Sequence, residues 1–215
     1  MALLTARDLR SWLLFTADRI EERKDYLSEL DRHLGDGDHG VTMSIGWQAV
    51  KNKLQALSDV NDCGELLKTT GMTFLSAVGS SVGPLYATAF LRAAAIAQGK
   101  TGLNENEIIA LWVAFVKGIQ ERGKAEVGEK TMVDYWVPAS EALQQAHGEG
   151  KDILTCLRVA AEGGKKGMQA TKDMLAKKGR SSRLGERSRG CLDPGASSAD
   201  VIFSGFVEFF EGIIG

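Results

Sequence analysis

The chain lacks the features that would place it outside the ordinary globular class. No apolar run reaches the roughly 18 residues that a bilayer-spanning helix needs. The Met1-Ala2-Leu3-Leu4 start meets Arg7 and Asp8 too soon for a secretory leader. Cysteine is scarce: Cys63, Cys156 and Cys191 lie far apart and form no C-x-x-C pair. That excludes a disulfide framework and points to a reducing, cytoplasmic location. Only three prolines occur, and Pro84 and Pro194 sit where a helix can begin. A large excess of one charge is also missing. The net charge of −2 suggests neither a general nucleic-acid binder nor an acidic tail. What remains, 44% hydrophobic and 25% charged residues in a chain of 215, suffices for one large domain or two small ones.

What is present is helical spacing. Leu9, Trp12, Leu13, Thr16 and Ile20 form one stripe, with Thr5 as its N-cap. Ile108, Leu111, Trp112, Phe115, Val116 and Ile119 form another, after Asn104 and before Gly123. Further helices are expected over 25–34, 40–57, 62–77, 84–98, 131–147, 151–178 and 195–213, with Gly163-Gly164 a candidate break. No β-hairpin and no sustained alternation is expected. Connections are short, which favours antiparallel neighbours. No Pro/Ser-rich linker divides the chain, so one all-α domain over 1–215 is expected. Periodicity does not distinguish a bundle from a closed ring.

The segment Leu30-Asp31-Arg32-His33-Leu34-Gly35-Asp36-Gly37-Asp38-His39-Gly40 carries the densest chemistry. Carboxylates this close repel one another unless a positive charge lies between them, and hard oxygen ligands favour Mg²⁺ or Ca²⁺. Glycines allow tight turning and close approach. Residues 35–40 match G-x-G-x-x-G formally, but the preceding Tyr26, Leu27, Leu30 and Leu34 follow helical spacing, whereas the dinucleotide fingerprint needs a strand. An EF-hand fails because Trp47 falls where its bidentate Glu belongs. On an unbroken helix Asp31 and Asp36 would point roughly 140° apart, so the helix must end first. The plain alternative is a turn with solvated or capping aspartates. His39 could contact a phosphate, ligate a metal or cap a helix.

Other segments suit anions. Gly79-Ser80-Ser81-Val82-Gly83-Pro84 is a small-residue turn before a helix, fit for a phosphate or simply for a helix–helix turn. Residues 123–131 nearly spell a P-loop, but Glu129 occupies the lysine position and the segment follows a helix. Residues 165–189 carry nine Lys/Arg against Asp173 and Glu186. Lys165, Lys166, Lys172, Lys177 and Lys178 read as solvated helix faces. Arg180, in a Gly- and Ser-rich stretch, could fork onto phosphate. No aromatic residues interleave with these cations, which argues against RNA. Cys191-Leu192-Asp193-Pro194-Gly195-Ala196 reads as a loop ending in a Pro-started helix.

Together, and in this order, the segments 30–40, 71–73 with 79–85, 122–134 with Trp136-Val137-Pro138, and 179–188 with 193–198 resemble the L subunit of dihydroxyacetone kinase. The same unit forms the C-terminal nucleotide-binding domain of single-chain dihydroxyacetone kinases. The resemblance implies a closed barrel of eight antiparallel helices with ADP or ATP across one end. It maps two Mg²⁺ ions onto Asp31, Asp36 and Asp38, which would act in catalysis through the metal. His39, Gly40, Val41 and Thr42 map onto residues near the phosphates, as do Ser80 and Ser81. Gly123 and Met132 map onto the base or ribose region, and Arg180, Asp193, Pro194 and Gly195 onto the remaining nucleotide contacts.

The implied partners are a K subunit carrying covalently bound dihydroxyacetone and an M subunit that donates from a phosphohistidine. No nucleic acid or membrane is implied. Two mechanisms fit the family: resident ADP recharged by the phosphotransferase system, or exchangeable ATP, including in related ketose kinases. The short separate chain favours the first. Gly37 and Thr42, where such subunits often carry Ala and Asn, keep the second open. A nucleotide-binding regulator without turnover is the alternative of another class, but all three aspartates are present.

Overall fold

Capping residues define several helix starts in the computed structural model, which describes residues 3–57 and 60–214. Met1, Ala2 and Gly215, at the ends of the expected 1–215 domain, lie outside the described residues, as do Ser58 and Asp59. Strand β1 (Leu4–Thr5) leads into α1 (Ala6–Arg32). The Thr5 hydroxyl accepts from the Asp8 N–H at 3.2 Å and the Asp8 carboxylate accepts from the Thr5 N–H at 3.0 Å, a reciprocal capping box. The chain continues through α2 (His39–Ala56), α3 (Cys63–Ala77), α4 (Val82–Ala97), β2 (Gly102–Leu103) and α5 (Glu105–Gly123). Asp62 caps α3, and Asn104 with Glu107 forms a second capping box on α5. Next come α6 (Val133–Gly148), α7 (Ile153–Ala170), short 3₁₀ segments at Thr171–Asp173 and Arg180–Ser188, and α8 (Pro194–Ile214).

Each helix packs on the next in sequence, and α8 also lies against α1. The connections 33–38, 78–81, 124–132 and 171–193 all lie at one end of the helices, where they surround a common cleft. Neighbours therefore run antiparallel, α7 and α8 across the long 171–193 connection included. The interior is aromatic. Trp12, Trp47, Trp112 and Trp136 are all buried. Trp112 meets Trp12, Phe203 and Phe206 edge-on and stacks on Trp136 with centroids 5.9 Å apart. Among the described residues, no helix is long and apolar enough to cross a membrane.

Three local expectations change. The stripe at 9–20 and the expected helix at 25–34 are one helix, because the polar run Glu21-Glu22-Arg23-Lys24 contains good helix formers and no breaker. Gly163-Gly164 does not break α7. These glycines and Gly167 form a seam against α6, where a Cβ on Gly167 would sit 1.9 Å from the Asp134 carbonyl oxygen. Pro138 has no N–H to offer that carbonyl, which lies four residues back in α6. Finally, α7 ends at Ala170 rather than near 178, so Lys172, Lys177 and Lys178 lie beyond it. The backbone of Lys177 returns instead to the Glu129 carbonyl at 3.1 Å. The unexpected pairing of β1 with β2, Leu4 opposite Leu103, is too short to show a period of two in sequence.

Candidate functional site

The connections at the shared end surround a cleft of about 730 Å³. Thirteen of the expected site residues line it: Asp31, Asp36, Asp38, His39, Thr42, Ser80, Ser81, Gly123, Met132, Arg180, Asp193, Pro194 and Gly195. Gly40 and Val41 do not. Gly40 is a packing residue between α2 and α1, where a Cβ would lie 1.9 Å from the Lys24 carbonyl oxygen. Val41 is exposed on the outside of α2.

The acidic cluster forms because α1 stops where the sequence supplies glycine. The Asp31 carbonyl accepts from both Leu34 and Gly35, at 2.9 and 2.5 Å, closing the last turn. A Cβ on Gly35 would sit 2.7 Å from Asp31 Oδ1, so a larger residue here would displace that carboxylate. Gly37 then takes a φ of +78°, which turns the chain back. The result brings one carboxylate oxygen from each of Asp31, Asp36 and Asp38 within 4.8 Å of the others. Asp38 precedes α2 but makes no side-chain capping bond, which leaves its carboxylate free for the cluster. The Asp31 carboxylate accepts from the His39 N–H at 3.2 Å, linking α1 to the start of α2.

Arg180 pairs with Asp36 and lies 3.8 Å from Asp38, so the basic segment reaches the acidic cluster itself. His39 is buried, with Nε2 2.9 Å from Ser198 Oγ. Burial pushes its pKa down to about 4, against the pull of the Asp31 charge, so the ring is neutral near pH 7. Ser80 and Ser81 stand at the start of α4. Ser80 Oγ is buried without a hydrogen-bond partner among the described residues, an acceptor and donor held ready at the cleft wall.

The opposite wall is built from 130–133 and 193–195. The Asp134 carboxylate accepts from the N–H groups of Gly128 and Thr131 at 2.6 and 2.7 Å, which shapes the loop after α5. Asp193 accepts from the Ala196 N–H at 2.7 Å and so caps α8. Burial raises its pKa to about 7, opposed by that hydrogen bond and by the Lys130 charge. Leu85, Ile119 and Val133 add apolar surface between the walls. The cleft thus combines a carboxylate cluster suited to a hard cation with small hydroxyls, cations and an apolar slot.

Residues 33–208 match the DAK2 domain family. The chain belongs to that family. A relative from Escherichia coli (strain K12), the "PEP-dependent dihydroxyacetone kinase, ADP-binding subunit DhaL", is 42% identical over 195 residues, covering 91% of this chain and 92% of the relative. A Lactococcus lactis relative, the "PTS-dependent dihydroxyacetone kinase, ADP-binding subunit DhaL", is 40% identical over 206 residues, 96% of this chain and 98% of the relative. The fold is also that of a segment of the crystal structure of the dihydroxyacetone kinase from C. freundii in complex with AMP-PNP and Mg²⁺. The TM-score is 0.71 at 21% identity, over 93% of this chain and 33% of that one.

Sequence reading passed over one cleft residue of this DAK2 domain that stands out structurally. Lys130 lines the cleft yet is buried, at a φ of +60°, and donates to the carbonyls of Thr171 and Cys191 at 2.5 and 2.6 Å. Comparison with a P-loop drew attention to Glu129 and not to the lysine beside it. The available signal was chemical: a lysine between Glu129 and Asp134 in a glycine-bearing loop. Lys178 also lines the cleft, 3.7 Å from Glu129; it is exposed as expected, but it lies beyond α7 and not on a helix face.

Proposed function

We propose that residues 1–215 form one nucleotide-binding L domain, the ADP-binding subunit of a dihydroxyacetone kinase of the phosphotransferase type. The observation that carries this reading is the convergence of Asp31, Asp36 and Asp38 at a cleft that also holds Ser80, Ser81 and Arg180. Three carboxylates offering oxygen ligands at this spacing fit divalent cations. Asp31, Asp36 and Asp38 would hold two Mg²⁺ ions. When bound, these ions neutralise the diphosphate and the transferring phosphoryl group.

The chain's own residues position the nucleotide. Ser80, with its unpartnered hydroxyl, and Ser81 bind phosphate oxygens at the start of α4, where backbone N–H groups favour anions. Arg180 is within reach of the same oxygens. The His39 ring is uncharged, and its backbone N–H orients the cluster by donating to Asp31. Gly123, Met132 and Val133 receive the base and ribose, and Asp193, Pro194 and Gly195 close the far side. The acceptor is dihydroxyacetone held covalently on a separate K subunit, and the donor that recharges ADP is a phosphohistidine on an M subunit in the cytoplasm. The relatives that this chain spans almost end to end support the reading, being named ADP-binding subunits of PEP- or PTS-dependent kinases.

Reconstitution tests it. This chain is combined with its cognate K subunit and dihydroxyacetone, then supplied either with excess ATP or with phosphoenolpyruvate and the donor chain. Turnover is expected only with the phosphoenolpyruvate-driven chain. Multiple turnovers on ATP alone would replace this reading with an ATP-dependent ketose kinase. That second reading has one specific support: the "L-erythrulose 1-kinase" of Mycolicibacterium smegmatis is 34% identical over 85% of this chain, which spans 32% of that protein.

A further inference from the structure

Lys130 is an unusual residue to find buried. Its side chain is 1% exposed, yet no carboxylate among the described residues lies within ion-pair distance. Burial pulls its pKa down. A buried ammonium is costly, and an apolar side chain of similar size usually serves folding as well or better. The loop also adopts a left-handed backbone at this non-glycine residue.

What the ammonium does is join segments far apart in sequence. It donates to the Thr171 carbonyl at 2.5 Å, just after α7, and to the Cys191 carbonyl at 2.6 Å, just before α8. The Thr171 hydroxyl in turn accepts from the Asp193 N–H at 2.9 Å. Asp193 and Gly195 form one half of the wall opposite the aspartates, and Met132, two residues from Lys130, belongs to the other half. The halves touch closely: a Cβ on Gly195 would lie 3.4 Å from the Met132 nitrogen.

We infer that Lys130 is a positioning residue for the bound nucleotide, clamping the 193–195 half of this wall to the 130–133 half through Thr171 and Cys191. This rests on the nucleotide reading above. Without the ammonium, the two carbonyls lose a charged donor and the wall is no longer held together, so affinity falls although the distant core is untouched.

The test is a set of variants whose ADP affinity is measured by titration calorimetry in excess Mg²⁺, well below each melting temperature. Lys130→Met removes the clamp. Thr171→Val keeps the carbonyl but removes the hydroxyl that links to Asp193. Leu157→Ala, in the buried first half of α7 away from the cleft, is the control for general destabilisation. Lys130→Met is expected to weaken ADP binding roughly 10- to 100-fold. Thr171→Val should weaken it as well, and the double variant should weaken it by less than the product of the two. Leu157→Ala should bind as the unmodified chain does, despite a lower melting temperature.

Unchanged affinity in Lys130→Met, an equal loss in Leu157→Ala, or effects that multiply independently would overturn the clamp. Should Lys130→Met not fold, Thr171→Val against Leu157→Ala still decides, since unchanged affinity in Thr171→Val overturns the link to Asp193. An unmodified chain that binds no ADP overturns the nucleotide reading together with the clamp. An unmodified chain that binds, with Lys130→Met binding equally, overturns the clamp alone.

Discussion

At the residue scale, the two walls of the cleft treat charge in opposite ways. Asp36 and Asp38 are half exposed and lie beside Arg180, in a setting that keeps carboxylates available to a cation. Asp193 is buried, and its pKa rises from 3.8 to about 7. The folded chain therefore holds a proton on Asp193 that the unfolded chain has already released. The sign follows from proton linkage: this group's contribution is fully present below about pH 4 and is lost as pH rises toward about 7. Asp193→Asn does not titrate and can still cap α8. The stability of the unmodified chain relative to Asp193→Asn is therefore expected to fall between about pH 4 and 7 and to level off above. Urea unfolding of both proteins across that range measures it, and parallel pH profiles would contradict the buried, protonated carboxyl. His39, shifted in the opposite direction, contributes equally to both proteins and cancels.

At the element scale, the site depends on how closely α2 approaches α1. Gly40 permits that approach, since a Cβ would overlap the Lys24 carbonyl and lie 2.6 Å from Ser28 Oγ. Gly40→Ala is expected to cost about 1–3 kcal/mol by overpacking. It should also weaken Mg²⁺-dependent ADP binding, because α2 carries Asp38 and His39 away from Asp31. The exposed neighbour substitution Val41→Ser should change stability by less than about 0.5 kcal/mol and leave binding intact. Chemical denaturation and calorimetry on the pair distinguish the two, and equal effects would refute the packing role. Glycine alone is an ambiguous signal in sequence. Gly35 clears a carboxylate, Gly37 turns the chain, Gly40 and Gly167 admit a neighbouring backbone, and Gly163-Gly164 resembled a break. Only the packed neighbours separate these roles.

At the scale of the whole molecule, the helices present alternate connections to one end, so a ligand there touches segments from 31 to 195 at once. Binding confined to the folded state stabilises it by mass action. ADP with Mg²⁺ at about 100 times Kd is worth about 2.7 kcal/mol, which for a chain of this size raises the melting temperature by about 5–10 °C. Chelating Mg²⁺ should abolish the rise. Asp36→Asn should show almost none of it, while melting without ligand close to the unmodified protein, since it removes a half-exposed charge from a cluster of like charges. Differential scanning calorimetry reads both effects. A melting temperature indifferent to Mg²⁺ and ADP would refute the site.

The sequence by itself determined the helical class, the cap at Thr5, and Asp31, Asp36 and Asp38 as candidate cation ligands, because periodicity, capping and ligand type are local properties. It also identified the family through motifs whose order survives without coordinates. Only the tertiary structure decided that α7 ends at Ala170, that Gly40 packs rather than lines the cleft, that Arg180 meets the aspartates, and that Lys130 is buried across two distant segments. Each of these depends on which backbone lies within a few ångströms of a residue remote in sequence, and that proximity exists only once the helices have packed.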